Sequence, residues 1–238
     1  MKTIVTISTY NEKENIKALI KAIFILKIPD LEIVVIDDNS PDGTWKIVKD
    51  LKKKNKKLHL ILRKTNRGRG YAGKEGFKYA LKINADYIIE MDADFSHDPK
   101  YILLLLKEIE NADVIIGSRL VKGGRDIGRS FLRRVITKLA NLYIRLILGL
   151  KVKDCNSGYR CFRNKVIKAI NPDKIKAKGP DIVQEVLFKV SLKGFKIKEI
   201  PIAFINRVKG KSKLSIKQLV YSYFMVLKLK LFDIFNGI

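Results

Sequence analysis

Cysteine is nearly missing from this 238-residue chain, which has only Cys155 and Cys161. Two thiols cannot build a disulfide framework, and their spacing, with no paired histidines nearby, does not match a zinc site. They read as buried or half-buried thiols in a reducing compartment. Long apolar runs are absent too. Tyr101 to Leu106 and Ile144 to Leu150 are short or carry a charge, far from the roughly 18 apolar residues that a membrane span needs. No leader is expected either, because the segment from Met1 runs straight into an apolar strand pattern that the fold itself needs. The expectation is a protein that stays on the cytoplasmic side. No internal repeat or low-complexity linker interrupts the chain.

Acidic residues are also scarce. Against 24 Asp and Glu stand 49 Lys and Arg, a formal net charge of +25. Such a field attracts polyanions, whether nucleic acid, anionic lipid headgroups or phosphorylated substrates. Part of the excess is bland, since Lys52-Lys53-Lys54 and Lys56-Lys57 look like the solvated end of a helix and its loop. A basic nucleic-acid-binding protein would account for the charge. It would not account for the acidic crevice described next, and the chain lacks aromatic stacking motifs on a basic strand face. No nucleic-acid partner is expected.

What the chain does have is alternation. Thr3 to Ser8, Glu32 to Ile36, Leu58 to Leu62, Tyr87 to Met91 and Val114 to Ile116 are short, β-branched apolar runs, as expected of strands buried on both faces. Helical patterns lie between them, with Ile16, Leu19, Ile20 and Ile23 on one face. The fold class is therefore α/β, a mainly parallel central sheet with helices on both faces. Beyond about Ser118 a loop at Gly123-Gly124 leads to a helix with Leu132, Val135, Ile136, Leu139, Tyr143 and Leu146 on one face. Ile182 to Leu192 reads as another helix, and Lys196 to Asn206 as a strand with Pro201 near an edge or bulge.

Polar clusters follow the strands: Tyr10-Asn11-Glu12, Asp37-Asp38-Asn39-Ser40 and Asp92-Ala93-Asp94. In an open α/β sheet they converge on one crevice at the strands' carboxyl ends. Asp92 and Asp94, two carboxylates at i and i+2, can splay toward one hard cation while a diphosphate supplies its remaining oxygens. An isolated Asp-x-Asp is more often a turn or helix cap, and its place after the fourth strand is what favours metal. Of Asp37 and Asp38, one is expected to bond the nucleotide while the other shapes a turn. Gly68, Gly70 and Gly73 spell G-x-G-x-x-G, but after the third strand rather than the first, which argues against a nicotinamide enzyme. These glycines are expected to let a helix start approach the sugar nucleotide. His97, a lone histidine, is expected to be structural.

Together Ser8-Thr9-Tyr10-Asn11-Glu12, Ile36-Asp37-Asp38-Asn39-Ser40-Pro41-Asp42-Gly43-Thr44, Met91 to Pro99 and Ile116-Gly117-Ser118-Arg119 resemble family 2 glycosyltransferases of the GT-A fold. Within that family the likeness is to dolichol-phosphate mannose synthases and related polyprenyl-phosphate glycosyltransferases. Val121-Lys122-Gly123-Gly124, Asn156-Ser157-Gly158-Tyr159-Arg160 and Arg207 to Leu214 extend it over about residues 3 to 214. The resemblance implies that Ser8, Tyr10, Glu12, Ile36 and Asp38 hold the nucleoside. Asp92 and Asp94 would bind Mg2+ or Mn2+ and the diphosphate, with Ala93 also against the substrate and Ser96 in the place of a metal-side glutamine. Arg119, Arg207 and Lys213 would meet phosphates, and Arg133 and Thr137 the acceptor phosphate. Ser8 departs from a usual proline, and Ser96 brings a weaker, shorter ligand.

The implied reaction is an inverting transfer of a sugar, mannose from GDP-mannose by resemblance, onto a polyprenyl (dolichyl) phosphate. A phosphate monoester with a second pKa of about 6 is already anionic near neutrality, so it needs cations rather than an enzyme base. Arg119, Arg125, Arg129, Arg133 and Arg134 cluster in one region, and some of them read equally as solvated helix ends. Were the acceptor a polysaccharide hydroxyl, Glu185 would be the base, or else a packing carboxylate. The chain divides into a nucleotide-sugar and metal half at residues 1–120, an acceptor half of the same body at 121–213, and an amphipathic C-terminal helix at 214–238. That helix, with Ile216, Leu219, Val220, Tyr223, Leu227, Leu231 and Ile234 near helical spacing, either docks peripherally on the inner membrane face, alone or with a membrane-embedded partner, or simply packs on the second half.

Overall fold

The computed structural model describes residues 1–206, 221 and 223–231. Strands and helices alternate from the start: β1 (Thr3–Thr9), α1 (Ile16–Ile25), β2 (Leu31–Asp37), α2 (Thr44–Lys54), β3 (Leu58–Leu62), α3 (Arg69–Lys82), β4 (Tyr87–Asp92), α4 (Tyr101–Glu108) and β5 (Val114–Ser118). They give way to β6 (Arg125–Ile127), α5 (Phe131–Leu148), β7 (Arg160–Arg163), α6 (Asn164–Ile170), α7 (Ile182–Leu192), β8 (Ile197–Pro201) and β9 (Ala203–Ile205).

One seven-stranded sheet has the order β3-β2-β1-β4-β7-β5-β8, and β6 pairs with β9 in a second, two-stranded sheet. All pairings are parallel except those of β7, which runs antiparallel between β4 and β5. The period of two in β2 shows why the sheet is buried on both sides. Val34 and Ile36 enter the core shared with α3, α6 and α7, whereas Ile33 and Val35 enter the core shared with α1, α2 and α4. Each such side chain, fully buried, stabilises the fold by about 1.5–3 kcal/mol.

The sheet switches direction of growth at β1, which lies between β2 and β4. Register places Ser8 opposite Ile36 on one side and Asp92 on the other. That switch point is where an open sheet leaves a crevice for a ligand.

Two sequence expectations change. Lys196 to Asn206 is not one strand. β8 ends at Pro201 on the sheet edge, and Ile202 then bridges both sheets, its N–H donating to Ser118 O (3.0 Å) and its carbonyl accepting from Arg125 N (2.9 Å). Helix α5 forms as expected, capped by the Ser130 hydroxyl and closed by left-handed Gly149. Its buried side, however, is Asn141, Ile144 and Leu148, while Leu132, Ile136, Leu139 and Leu146 are exposed. Residues 223–231 form a helix that buries Val226 and meets α5 through Tyr143, whose hydroxyl donates to Tyr223 O at 3.2 Å. Tyr221, Phe224, Leu227 and Leu231 stay exposed. The described residues thus pack against the second half, which is one of the two readings of the C-terminal segment, and Ile216, Leu219, Val220 and Ile234 lie outside them. Among the described residues no helix is long and apolar enough to cross a membrane.

Candidate active site

Loops after β1 and β2 are laced together. Asp37, wholly buried, accepts from Thr9 Oγ1 (2.8 Å), Ser40 N (2.7 Å) and Ser40 Oγ (2.8 Å). Ser40 Oγ in turn accepts from Asn11 N, and Thr44 Oγ1 from Glu12 N. Asp37 therefore shapes the turn. Asp38 is buried as well, taking Arg63 Nη1 at 2.7 Å and Gly68 N at 2.6 Å. Burial pushes its carboxyl up from the ordinary value, against the pull of the Gly68 amide and Arg63. Ser8 is half-buried at the switch point, Tyr10 is exposed, and Glu12 accepts from Asn15 Nδ2 at 2.9 Å. The Ile36 side chain lies wholly in the core, and Ala93 is buried.

Asp92 and Asp94 stand at the end of β4 on a loop held rigidly from behind. His97, buried, accepts from the Asp92 amide through Nδ1 at 3.0 Å. That nitrogen therefore carries no proton, and burial depresses the imidazole pKa in the same sense. Its ring stacks on Tyr159 at 4.8 Å and meets Phe204 edge-on. The histidine is structural, as expected. Asp94 Oδ1 accepts from Ser96 N (3.1 Å) and Ser96 Oγ (2.6 Å), so Ser96 supports the carboxylate. A cleft of about 430 Å³ opens beside Asp94, between Phe95, Asp98, the α1 residues Ala22 and Ile25, and Leu26 just after that helix.

The sequence did not single out Arg69, the first residue of α3, whose Nη1 pairs with Asp92 Oδ1. Its signal lay in the glycine motif, where a cation precedes Gly70. Nor did it single out Arg63 or Asp154. Arg119 forks onto wholly buried Asp154, Nε to Oδ2 and Nη2 to Oδ1 each at 2.8 Å, and lies 4.7 Å over Phe204. Arg129 pairs with Asp126 at 3.0 Å, while Arg125, Arg133 and Arg134 are exposed. Arg133 and Thr137 sit one turn apart on α5, the Thr137 hydroxyl donating to Arg133 O. Arg207 and Lys213 lie outside the described residues.

Contacts correct one expectation, for the glycine motif, and choose between the two readings of Glu185. Added Cβ atoms at Gly68 and Gly70 would each stand 2.6 Å from the Lys178 backbone, and at Gly73 2.7 Å from Ile182 Cδ1. Gly68 and Gly70 let α3 approach the protein backbone, and Gly73 lets it approach the Ile182 side chain. Glu185 accepts from Lys176 N (2.9 Å) and Ala177 N (2.7 Å) and pairs with Lys189 at 2.8 Å, buried throughout. It is the packing carboxylate and not a poised base. Cys155 and Cys161 are buried, unpaired thiols, and burial pushes Cys155 up to about 12.

The donors present suit a hard divalent cation. Asp92 and Asp94 offer carboxylate oxygens, and among the described residues no group of three or more His, Cys, Asp or Glu forms a protein-only cage. Such sites take their remaining oxygens from substrate phosphates.

A switch-point crevice with this acidic pair defines a nucleotide-sugar transferase of the GT-A fold. The fold matches glucosyl-3-phosphoglycerate synthase from Mycobacterium tuberculosis, solved with Mn2+, UDP and glucosyl-3-phosphoglycerate, at a TM-score of 0.65 and 16% identity over 98% of this chain and 79% of that one. The chain belongs to glycosyl transferase family 2, whose family model matches residues 4–170. It is 35% identical to the undecaprenyl-phosphate mannosyltransferase of Micrococcus luteus, over 90% of this chain and 88% of that protein. It is 38% identical to the dolichol-phosphate mannosyltransferase of Pyrococcus furiosus, over 90% of this chain and 59% of that one.

Proposed function

We propose that this enzyme transfers mannose from GDP-mannose to a polyprenyl phosphate at a membrane surface, with inversion at the anomeric carbon. The observation that carries the choice of acceptor is Glu185. Two backbone amides and Lys189 engage the one carboxylate offered as a base for a hydroxyl acceptor. A phosphate acceptor needs no such base, because it arrives ionised. The 35–38% identical relatives carry names of this reaction class.

In this reading Ser8, Tyr10, Glu12 and Asp38 line the nucleoside end of the crevice. Asp92 and Asp94 would hold Mg2+ or Mn2+, which supplies positive charge to the departing diphosphate. His97 and Ser96 keep that loop from moving as charge develops, which is the preorganisation electrostatic catalysis requires. We assign Arg133 and Thr137 to the acceptor phosphate, and Arg207 and Lys213 to the phosphates. Arg119 acts through Asp154, orienting the loop before Gly158 rather than reaching the substrate alone.

The membrane surface is assigned to the exposed apolar side of α5 (Phe131, Leu132, Ile136, Leu139, Leu146) and the adjacent Phe224, Leu227 and Leu231. Arg133, Arg134 and Lys138 flank it, suited to anionic headgroups. The cytoplasmic face is in keeping with two unpaired thiols. The test is product chemistry with GDP-mannose, Mn2+ and a short-chain polyprenyl phosphate. A lipid-extractable, acid-labile mannosyl phosphate is expected, and transfer only to a sugar hydroxyl would refute the acceptor.

A further inference from the structure

We infer that Arg69 is a placeholder cation: in the donor-free enzyme its guanidinium occupies Asp92, and it releases that carboxylate only when metal and a nucleoside diphosphate arrive together. The inference rests on the proposed donor chemistry, and it concerns the order in which that site fills.

Arg69 opens α3 directly after Gly68, whose amide is bound by Asp38, so the backbone that carries the arginine is pinned to the nucleoside end of the crevice. From there Nη1 reaches Asp92 Oδ1, with the two side chains 28% and 31% exposed, at the crevice wall rather than in the core. The opposite wall is Gly158. A Cβ there would stand 2.5 Å from Arg69 Nη2 and 3.8 Å from Asp92 Oδ1, so this loop position leaves just the room the guanidinium takes. Glu90 and Asp94 also act on the arginine's charge, which makes Arg69 a cation of the acidic cluster at the end of β4 and the one paired directly with Asp92.

A guanidinium paired with Asp92 repels a divalent ion approaching the same carboxylate. A nucleoside diphosphate reverses this, because it offers the arginine an anionic, bidentate partner and supplies the oxygens the metal needs. Metal and nucleotide should then bind with positive coupling, and Arg69 should be the source of part of it.

The test is Mn2+ binding by the full chain, followed by electron paramagnetic resonance without nucleotide and then with GDP or UDP. In the unaltered protein nucleotide should tighten Mn2+ markedly. Arg69→Met should bind Mn2+ alone about tenfold more tightly and lose most of the coupling, within the usual range of coupling between two ligands. Arg69→Lys, which keeps the charge, should restore weak binding of Mn2+ alone. Gly158→Ala, whose Cβ would crowd Nη2 and so push the guanidinium away from Asp92, should shift Mn2+ affinity in the same direction as Arg69→Met. Unchanged Mn2+ affinity in folded Arg69→Met and Gly158→Ala would overturn the placeholder role. Failure of the unaltered protein to bind either nucleotide at any Mn2+ concentration would instead overturn the donor reading.

Discussion

Gly70→Ala separates a packing role for the glycine motif from a nucleotide-binding one. The new Cβ would stand 2.6 Å from the Lys178 carbonyl carbon and 2.7 Å from that of Ala177. Carbon atoms in contact prefer 3.5–4.0 Å, so backbone must move by about 1 Å. Overpacking of this kind costs roughly 1–3 kcal/mol. The bond from Gly70 N to Lys178 O, 3.1 Å long, would be strained as well, at about 1 kcal/mol. Against this, alanine gains roughly 1 kcal/mol over glycine in a helix. The net is a loss of about 2 kcal/mol, or about 4–8 °C in melting temperature for a chain of this size. Gly73→Ala is the control. Its one overlap is with Ile182 Cδ1, the end of a rotatable side chain, with Glu90 Oε1 at an ordinary 3.6 Å, and the helix gain should leave stability within about 0.5 kcal/mol. Urea unfolding measures both variants, and titration with GDP follows on the folded protein. Gly70→Ala should lose stability with nucleotide affinity within about threefold of the parent, too small a change for a lost ligand contact. Native stability with a large loss of GDP binding would refute the packing role.

Asp94→Asn keeps the oxygen that accepts from Ser96. It should fold normally yet lose turnover by about 10²–10³-fold or more, and near-normal activity at saturating Mg2+ would sink the metal assignment. Glu185→Ala removes the acceptor shared by two amides and Lys189, and should cost about 3–5 kcal/mol of stability while folded enzyme still turns over. Intact stability with lost turnover would make it the base after all. The two thiols stay protonated in the fold because burial raises both, whereas an unfolded thiol ionises near pH 8.5. The unfolded state then binds fewer protons, so stability should fall as pH rises above about 8.5, by about 3 kcal/mol at pH 9.5 for the pair. Cys155→Ala with Cys161→Ala should flatten that slope, and an Ellman assay should find no reactive thiol before unfolding.

Much of the site's framework was legible in the residues because it is local. Runs such as Ile33 to Ile36 are short, continuous and β-branched, as strands covered on both faces are, and in the fold their side chains alternate between the two cores. The acids that follow such strands must then gather at one edge of the sheet. The likeness of those acidic segments to a known family added the class of donor. Tertiary contacts decided what each polar group does. β7 has four residues with arginine at both ends, too short and too charged to announce an antiparallel strand inside a parallel sheet. Gly70 faces a backbone more than 100 positions away, so no motif spacing could tell protein from nucleotide as the thing it approaches. Glu185 could be read from the sequence as a base or as a packing carboxylate, and only Lys176, Ala177 and Lys189 around it decide for packing. Arg69 gained its role only when folding brought it against Asp92. A sequence records which groups can carry charge or donate protons, and packing determines which of them are already engaged when a substrate arrives.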